Sequence, residues 1–177
     1  MKAVVVYESV WGNTAAVARA IAEGMGPDAH AFATDEATPD VLGSAELIVA
    51  GSPVFGFQLP TDAMRANVAR DEADAPTPPD LSHPSLRSWL ESLPLGSTPF
   101  AAFETRIWWS PGGATGSIED RLRDAGYRRI GKAQKFIVRG KYGPLRDGEL
   151  DRARRWGRDL AMAVWAEQPE LVASGAR

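Results

Sequence analysis

Short apolar runs separated by helix-length segments constrain this 177-residue chain more than any other feature. Lys2 to Tyr7, "KAVVVY", precedes an Ala-rich stretch, Asn13 to Met25, in which Val17, Ile21 and Met25 recur every four residues and which Gly24, Gly26 and Pro27 close. A weaker strand is expected at Ala29 to Ala33. "ELIVAGSP" makes a third strand ending at Gly51, "TPFAAFET" a fourth ending near Thr105, and "KFIVRG" a fifth. "SIEDRLRDAGY" is a helix stopped at Gly126, and Glu149 to Ala166 is a last helix with Trp156, Leu160 and Val164 on one face. Strands separated by helices belong in a parallel sheet covered on both faces, so the expected class is α/β.

Size and composition, with 44% hydrophobic and 24% charged residues, suit one domain over residues 1–166. Within it, residues 70–96, "RDEADAPTPPDLSHPSLRSWLESLPLG", break the alternation. Too short for a core of its own, this segment is expected to be an exposed irregular excursion with a short amphipathic helix in "SLRSWLESL". Residues 167–177 are expected to form a flexible tail. No run of about 20 apolar residues occurs, which predicts no membrane span and a cytoplasmic protein.

The chain has no cysteine, which excludes disulfides, thiolate nucleophiles, Cys-based zinc sites and iron–sulfur clusters. Redox chemistry therefore needs a borrowed cofactor. His30 and His83 are the only histidines and are expected at the surface; no Ser-His-Asp arrangement and no metal-ligand spacing is present. The net charge of −3 hides an asymmetry: residues 1–118 carry 6 Lys/Arg against 14 Asp/Glu, and residues 119–159 carry 13 against 7. The basic residues alternate with acids at helical spacing, as in "ELDRARRWGRDLA", which marks a solvated helix face and not a nucleic-acid surface.

Three loops fall at the carboxyl ends of the strands, where open α/β sheets bind ligands. The first, Ser9, Val10, Trp11, Gly12, Asn13 and Thr14, leads from strand to helix, where backbone N–H groups and the helix dipole favour an anion. Ser9 and Thr14 add hydroxyls, and Asn13 suits a cap. It contains no Lys or Arg and matches neither the Walker motif nor GxGxxG. The second loop is Pro53, Val54, Phe55, Gly56 and Phe57; the third, Thr105 to Gly113, includes Arg106, Trp108, Trp109, Gly112 and Gly113. Glycines and aromatics at the same edge as an anion nest suit a flat aromatic ligand with a phosphate tail. Two adjacent tryptophans cannot both point inward, so at least one of Trp108 and Trp109 is expected to meet solvent or ligand.

"VVVYESVWGNTAAVARAIAEG", an apolar strand followed by Ser-x-x-Gly-Asn-Thr and a helix, resembles the signature of the flavodoxin family, and the other two loops follow in the family's order. The resemblance implies a flavodoxin-like three-layer α/β/α sandwich around a five-stranded parallel sheet of order 2-1-3-4-5. It also implies non-covalent FMN, with Ser9 to Thr14 holding the phosphate and Pro53 to Phe57 and Thr105 to Gly113 flanking the isoalloxazine. Gly56 is the candidate to offer its backbone to the flavin N5, while Glu104 and Arg106 would pull its potential in opposite directions. Trp11 stands where electron-carrier flavodoxins typically have a second Thr, and the chain is less acidic than they are. Three functions follow from the resemblance: an FMN electron carrier serving a redox partner protein, with a weakly acidic rim around the flavin; an FMN-dependent oxidoreductase acting on a small quinone-like or nicotinamide substrate; and a flavin-free protein-binding domain.

Overall fold

The computed structural model describes residues 1–71 and 75–167; the three residues of the excursion between these spans, and the expected tail beyond Glu167, lie outside the described residues. In chain order the elements are β1 (Ala3–Tyr7), α1 (Asn13–Met25), β2 (Ala29–Ala33), α2 (Pro39–Gly43), β3 (Leu47–Pro53), α3 (Asp62–Asp71), α4 (Leu86–Glu91), β4 (Pro99–Ile107), α5 (Thr115–Asp124), β5 (Arg128–Arg129), β6 (Gln134–Val138) and α6 (Glu149–Ala166). The sheet is parallel with order β2-β1-β3-β4-β5, as expected, and β6 also pairs with β4. The fifth position is thus shared by two segments. Arg128–Arg129 pairs with Pro99–Phe100 and Gln134–Val138 with Phe103–Ile107, the chain bowing out at 130–133.

Because successive strand side chains face opposite ways, each strand feeds two cores. Val5, Val49, Phe103 and Phe136 face α1 and α6, where Trp156 packs against both phenylalanines. Val4, Val6, Ile48, Phe100 and Ala102 face α4 and α5. The first layer is tight because α1 and α6 touch through glycines. A Cβ on Gly157 would lie 2.2 Å from the Ile21 carbonyl oxygen, and one on Gly24 2.1 Å from that of Arg154.

The 70–96 segment is not an exposed excursion throughout. Leu86, Trp89 and Leu90 of α4 are buried in the second core, and the Trp89 indole N–H donates to the Ala37 carbonyl at 3.0 Å. The amphipathic stripe of "SLRSWLESL" has the apolar area to displace water from the sheet, which the Pro-rich stretch before it lacks.

Helix α3 ends two residues into that segment, where no element was expected, and differs from the other long helices. Arg65 is its one buried residue, because its larger apolar side chains, Met64 and Val68, face a cavity at the carboxyl edge of the sheet and not the core. Arg65 forms an ion pair with Glu8, which is buried at the end of β1, and donates to the carbonyls of Leu81 and His83. The Leu86 N–H donates to the second Glu8 oxygen at 2.9 Å. Burial holds the Glu8 carboxyl above its ordinary range, against the lowering pull of the Leu86 N–H and Arg65. His83 meets Asp35 at 2.7 Å and His30 is exposed, both surface positions as expected. No helix among the described residues is long and apolar enough to cross a membrane, and no cluster of metal-ligating side chains occurs among them.

Candidate functional site

A cavity of about 390 Å³ opens at the carboxyl edge of the sheet, between the loop after β1 and the ends of β3, β4 and β6. Volumes of roughly 300–1,000 Å³ are typical of small-molecule sites. Ser9, Val10, Trp11, Asn13, Thr14, Pro53, Val54, Phe55, Gly56, Thr105 and Arg106 line it. All three expected loops therefore converge on one space.

The first loop ends at Gly12, the N-cap of α1, whose φ of 82° is open to glycine at little cost. The N–H groups of Asn13, Thr14 and Ala15 have no intrahelical acceptor, as at any helix start. Asn13 does not cap the turn as expected: its amide donates instead to the Tyr142 carbonyl at 2.9 Å, drawing in the loop between β6 and α6. The Thr14 and Thr105 hydroxyls meet at 2.7 Å. The Trp11 ring stands between Phe55 and Tyr142, with centroids 5.8 and 5.0 Å away. Ser9 Oγ and Trp11 Nε1 are buried and without a hydrogen-bond partner among the described residues. Both residues line the cavity.

The second loop is a tight turn closed by Phe55 N–H to Gln58 O and Gln58 N–H to Phe55 O, each 3.0 Å. Gly56 and Phe57 at its tip have φ of 50° and 70°, and Phe57 is the one non-glycine residue with positive φ among the described residues. Such a conformation costs an L-residue energy and persists only where neighbours enforce it. The Gly113 N–H donates to the Phe57 carbonyl at 2.9 Å, and a Cβ on Gly112 would lie 2.1 Å from that oxygen. Gly112 and Gly113 therefore clamp the third loop to the second and do not line the cavity; nor do Gly12 and Phe57.

Trp108 and Trp109 do not line the cavity either, and both are exposed, at 72% and 59%. β4 runs on past its expected end to Ile107, so the cavity wall is strand (Thr105, Arg106, Ile107), and the chain turns away beyond it through Ser110 N–H to Ile107 O. Glu104 and Arg106, expected to act separately on a ligand, are joined to each other at 2.8 Å. Arg106 also donates to the Gly112 carbonyl, and Glu104 accepts the N–H groups of Ala114 and Thr115 at the start of α5.

Met64, Asn67, Val68 and Asp71 of α3, with Ile107, Val138 and Lys141, complete the lining. The α3 residues follow the i, i+3, i+4, i+7 spacing of one helical face, a pattern readable in the sequence once a helix is placed there. Lys141 belongs to "RGKYGPLRDG", a fourth Gly- and Pro-containing loop at the same edge, which the strand-end rule selects as well as it selects the other three. Among the described residues, the charged ones lining the cavity are Asp71, Arg106 and Lys141.

No protein-family model matches the chain, and no curated protein sequence matches it. Solved structures do. A flavodoxin from the domain Archaea is 25% identical with a TM-score of 0.64, the match covering 93% of this chain and 99% of that one. The flavodoxin, WrbA-like protein of Agrobacterium tumefaciens is 20% identical over 93% of this chain and 97% of its own, with a TM-score of 0.60. The flavodiiron core from Synechocystis is 21% identical with a TM-score of 0.61; there the match covers 93% of this chain but 36% of the larger protein. With the strand order 2-1-3-4-5 and the Ser-x-x-Gly-Asn-Thr turn opening α1, these likenesses show that the chain has the flavodoxin-like fold.

Proposed function

We propose that this protein binds FMN in the 390 Å³ cavity and works as a flavodoxin-like redox protein. The observation that carries the reading is the pair of orphaned buried donors, Ser9 Oγ and Trp11 Nε1, beside the open N–H groups of the α1 N-terminus. Buried donors without partners are costly, and a ligand anion satisfies them. The donor set therefore fits a phosphorylated ligand. Ser9 to Thr14 would hold the phosphate, and Phe55, Gly56, Thr105 and Arg106 would stand against the ring. When bound, the flavin would supply one- and two-electron transfer.

The test is direct. Purified protein should show a flavin absorbance spectrum or acquire one on adding FMN, and should bind riboflavin much more weakly. Absence of binding to either flavin overturns the reading.

Electron transfer to a protein partner is the form the neighbours' names favour, since flavodoxins are among them. The second reading, an oxidoreductase acting on a small quinone-like substrate, is favoured by the α3 face Met64/Asn67/Val68/Asp71, which walls one side of the cavity with mixed apolar and polar groups. Stopped-flow oxidation of reduced protein by a neutral quinone and by a basic redox protein, each at low and high salt, separates the two. Fast, salt-insensitive reaction with quinone and none with protein acceptors selects the enzyme.

A further inference from the structure

We infer that Arg65 is a positioning residue for the ligand: its pairing with Glu8 fixes α3 as a wall of the cavity, so that this wall and the loop opening α1 meet a bound flavin as one pre-formed site. The inference rests on the proposed function. Helices α1 and α6 are held by apolar stripes, whereas Arg65 is the one residue that α3 buries. Met64 and Val68 turn to the cavity instead, with Asn67 and Asp71. Arg87 fixes the approach to the helix by donating to the Leu59 and Pro60 carbonyls at 2.9 and 3.2 Å. Within the helix the anchor is the Arg65 guanidinium, which pairs with Glu8 and donates to the Leu81 and His83 carbonyls. Arg65 follows Met64 by one residue and precedes Val68 by three, so holding it sets the rotation of the helix that presents both to the cavity.

Glu8 joins that anchor to the site. It immediately precedes Ser9, and its N–H donates to the Gly51 carbonyl at 3.0 Å, which fixes it to β3. The Asp80 N–H donates to the Val10 carbonyl at 2.8 Å, so the segment whose carbonyls Arg65 holds is tied to the same loop. Two routes therefore connect α3 to the loop that opens α1. On its cavity side α3 meets the second loop, where a Cβ on Gly56 would lie 2.9 Å from the Met64 Cε. That loop is the one assigned to the flavin ring, which FMN and riboflavin share. A site whose wall is in place for only a fraction of the time binds more weakly by that fraction. Losing the anchor should therefore penalise the two flavins alike, unlike the loss of a phosphate donor.

Titrations of FMN and of riboflavin by flavin fluorescence test this on the intact protein, on Arg65→Met and on the double variant Glu8→Gln/Arg65→Met, which strands no carboxylate in the core. If the wall without its anchor is in place about a tenth of the time, both flavins lose about tenfold in affinity, by the same factor. Arg65→Lys, which keeps a charge for Glu8, should recover part of the loss. In the intact protein bound FMN should also slow hydrogen exchange of the α3 amides, and the double variant should lose that protection. The first of these exchange measurements needs no variant, so it decides even where a variant does not fold. Unchanged affinity for both flavins in a folded variant, a loss confined to FMN, or α3 amides that FMN does not protect in the intact protein overturn the inference while leaving the proposed function standing. Failure of the unmodified protein to bind either flavin overturns both.

Discussion

The hydroxyls of Thr14 and Thr105 lie 2.7 Å apart in a buried contact that ties the first turn of α1 to the end of β4. That contact uses one of the two hydroxyl protons, so the pair still has one to donate to a third group in the cavity. Thr14→Val is expected to cost about 1 kcal/mol of stability and roughly 1.5–3 kcal/mol of FMN affinity. Thr105→Val should cost similar stability with a smaller loss of affinity. Urea unfolding and flavin titration measure the two effects; equal affinity losses in both variants would show that Thr14 serves only its partner.

Trp11 and Phe55 are the aromatic side chains among the described residues that line the cavity, and Trp108 and Trp109 do not. Trp108→Ala and Trp109→Ala should therefore leave the emission of bound flavin quenched and its affinity unchanged. Phe55→Leu should restore part of the emission and weaken binding by about 0.5–1.5 kcal/mol. Recovery of fluorescence in either Trp108→Ala or Trp109→Ala would return the pair to the site.

Glu104 is fully buried, ion-paired to Arg106, and accepts two N–H bonds at the α5 N-terminus. Truncating it leaves a buried guanidinium and two unpaired donors. Glu104→Ala is expected to lower stability by about 3–5 kcal/mol, measured by urea unfolding. Arg106→Met should cost less, because the carboxylate keeps its helix partners; a larger loss in Arg106→Met contradicts this account.

Glu8 makes stability depend on pH. With its carboxyl raised above the ordinary value of 4.5, the protonated form is favoured in the folded chain. Its contribution is complete below that value and is lost as pH rises through the raised pKa. The stability of the native protein minus that of Glu8→Gln should therefore fall as pH is raised from about 4.5 toward neutrality. A difference that stays constant, or grows with pH, would place the Glu8 pKa at or below its ordinary value.

What the sequence determined by itself is whatever depends on neighbours along the chain. The apolar runs at Ala3–Tyr7 and Leu47–Pro53, the four-residue recurrence of Val17, Ile21 and Met25, and the Ser-x-x-Gly-Asn-Thr turn carry their structure in local spacing. That is enough to set a parallel sheet, its helices and the edge at which a ligand sits. Tertiary structure alone decided which side chains enter the cavity. Trp108 and Trp109 belong to an expected loop, yet the length of β4 was set by its pairing with Gln134–Val138, and that pairing carries the chain past the cavity before it turns. Lys141 and the α3 face enter because Asn13 holds Tyr142 and Glu8 holds Arg65. Those contacts span 129 and 57 residues, and no local spacing records them. Side-chain direction at a loop tip is settled by such distant partners, because the backbone there lacks the periodic hydrogen bonds that make strands and helices predictable from their own sequence.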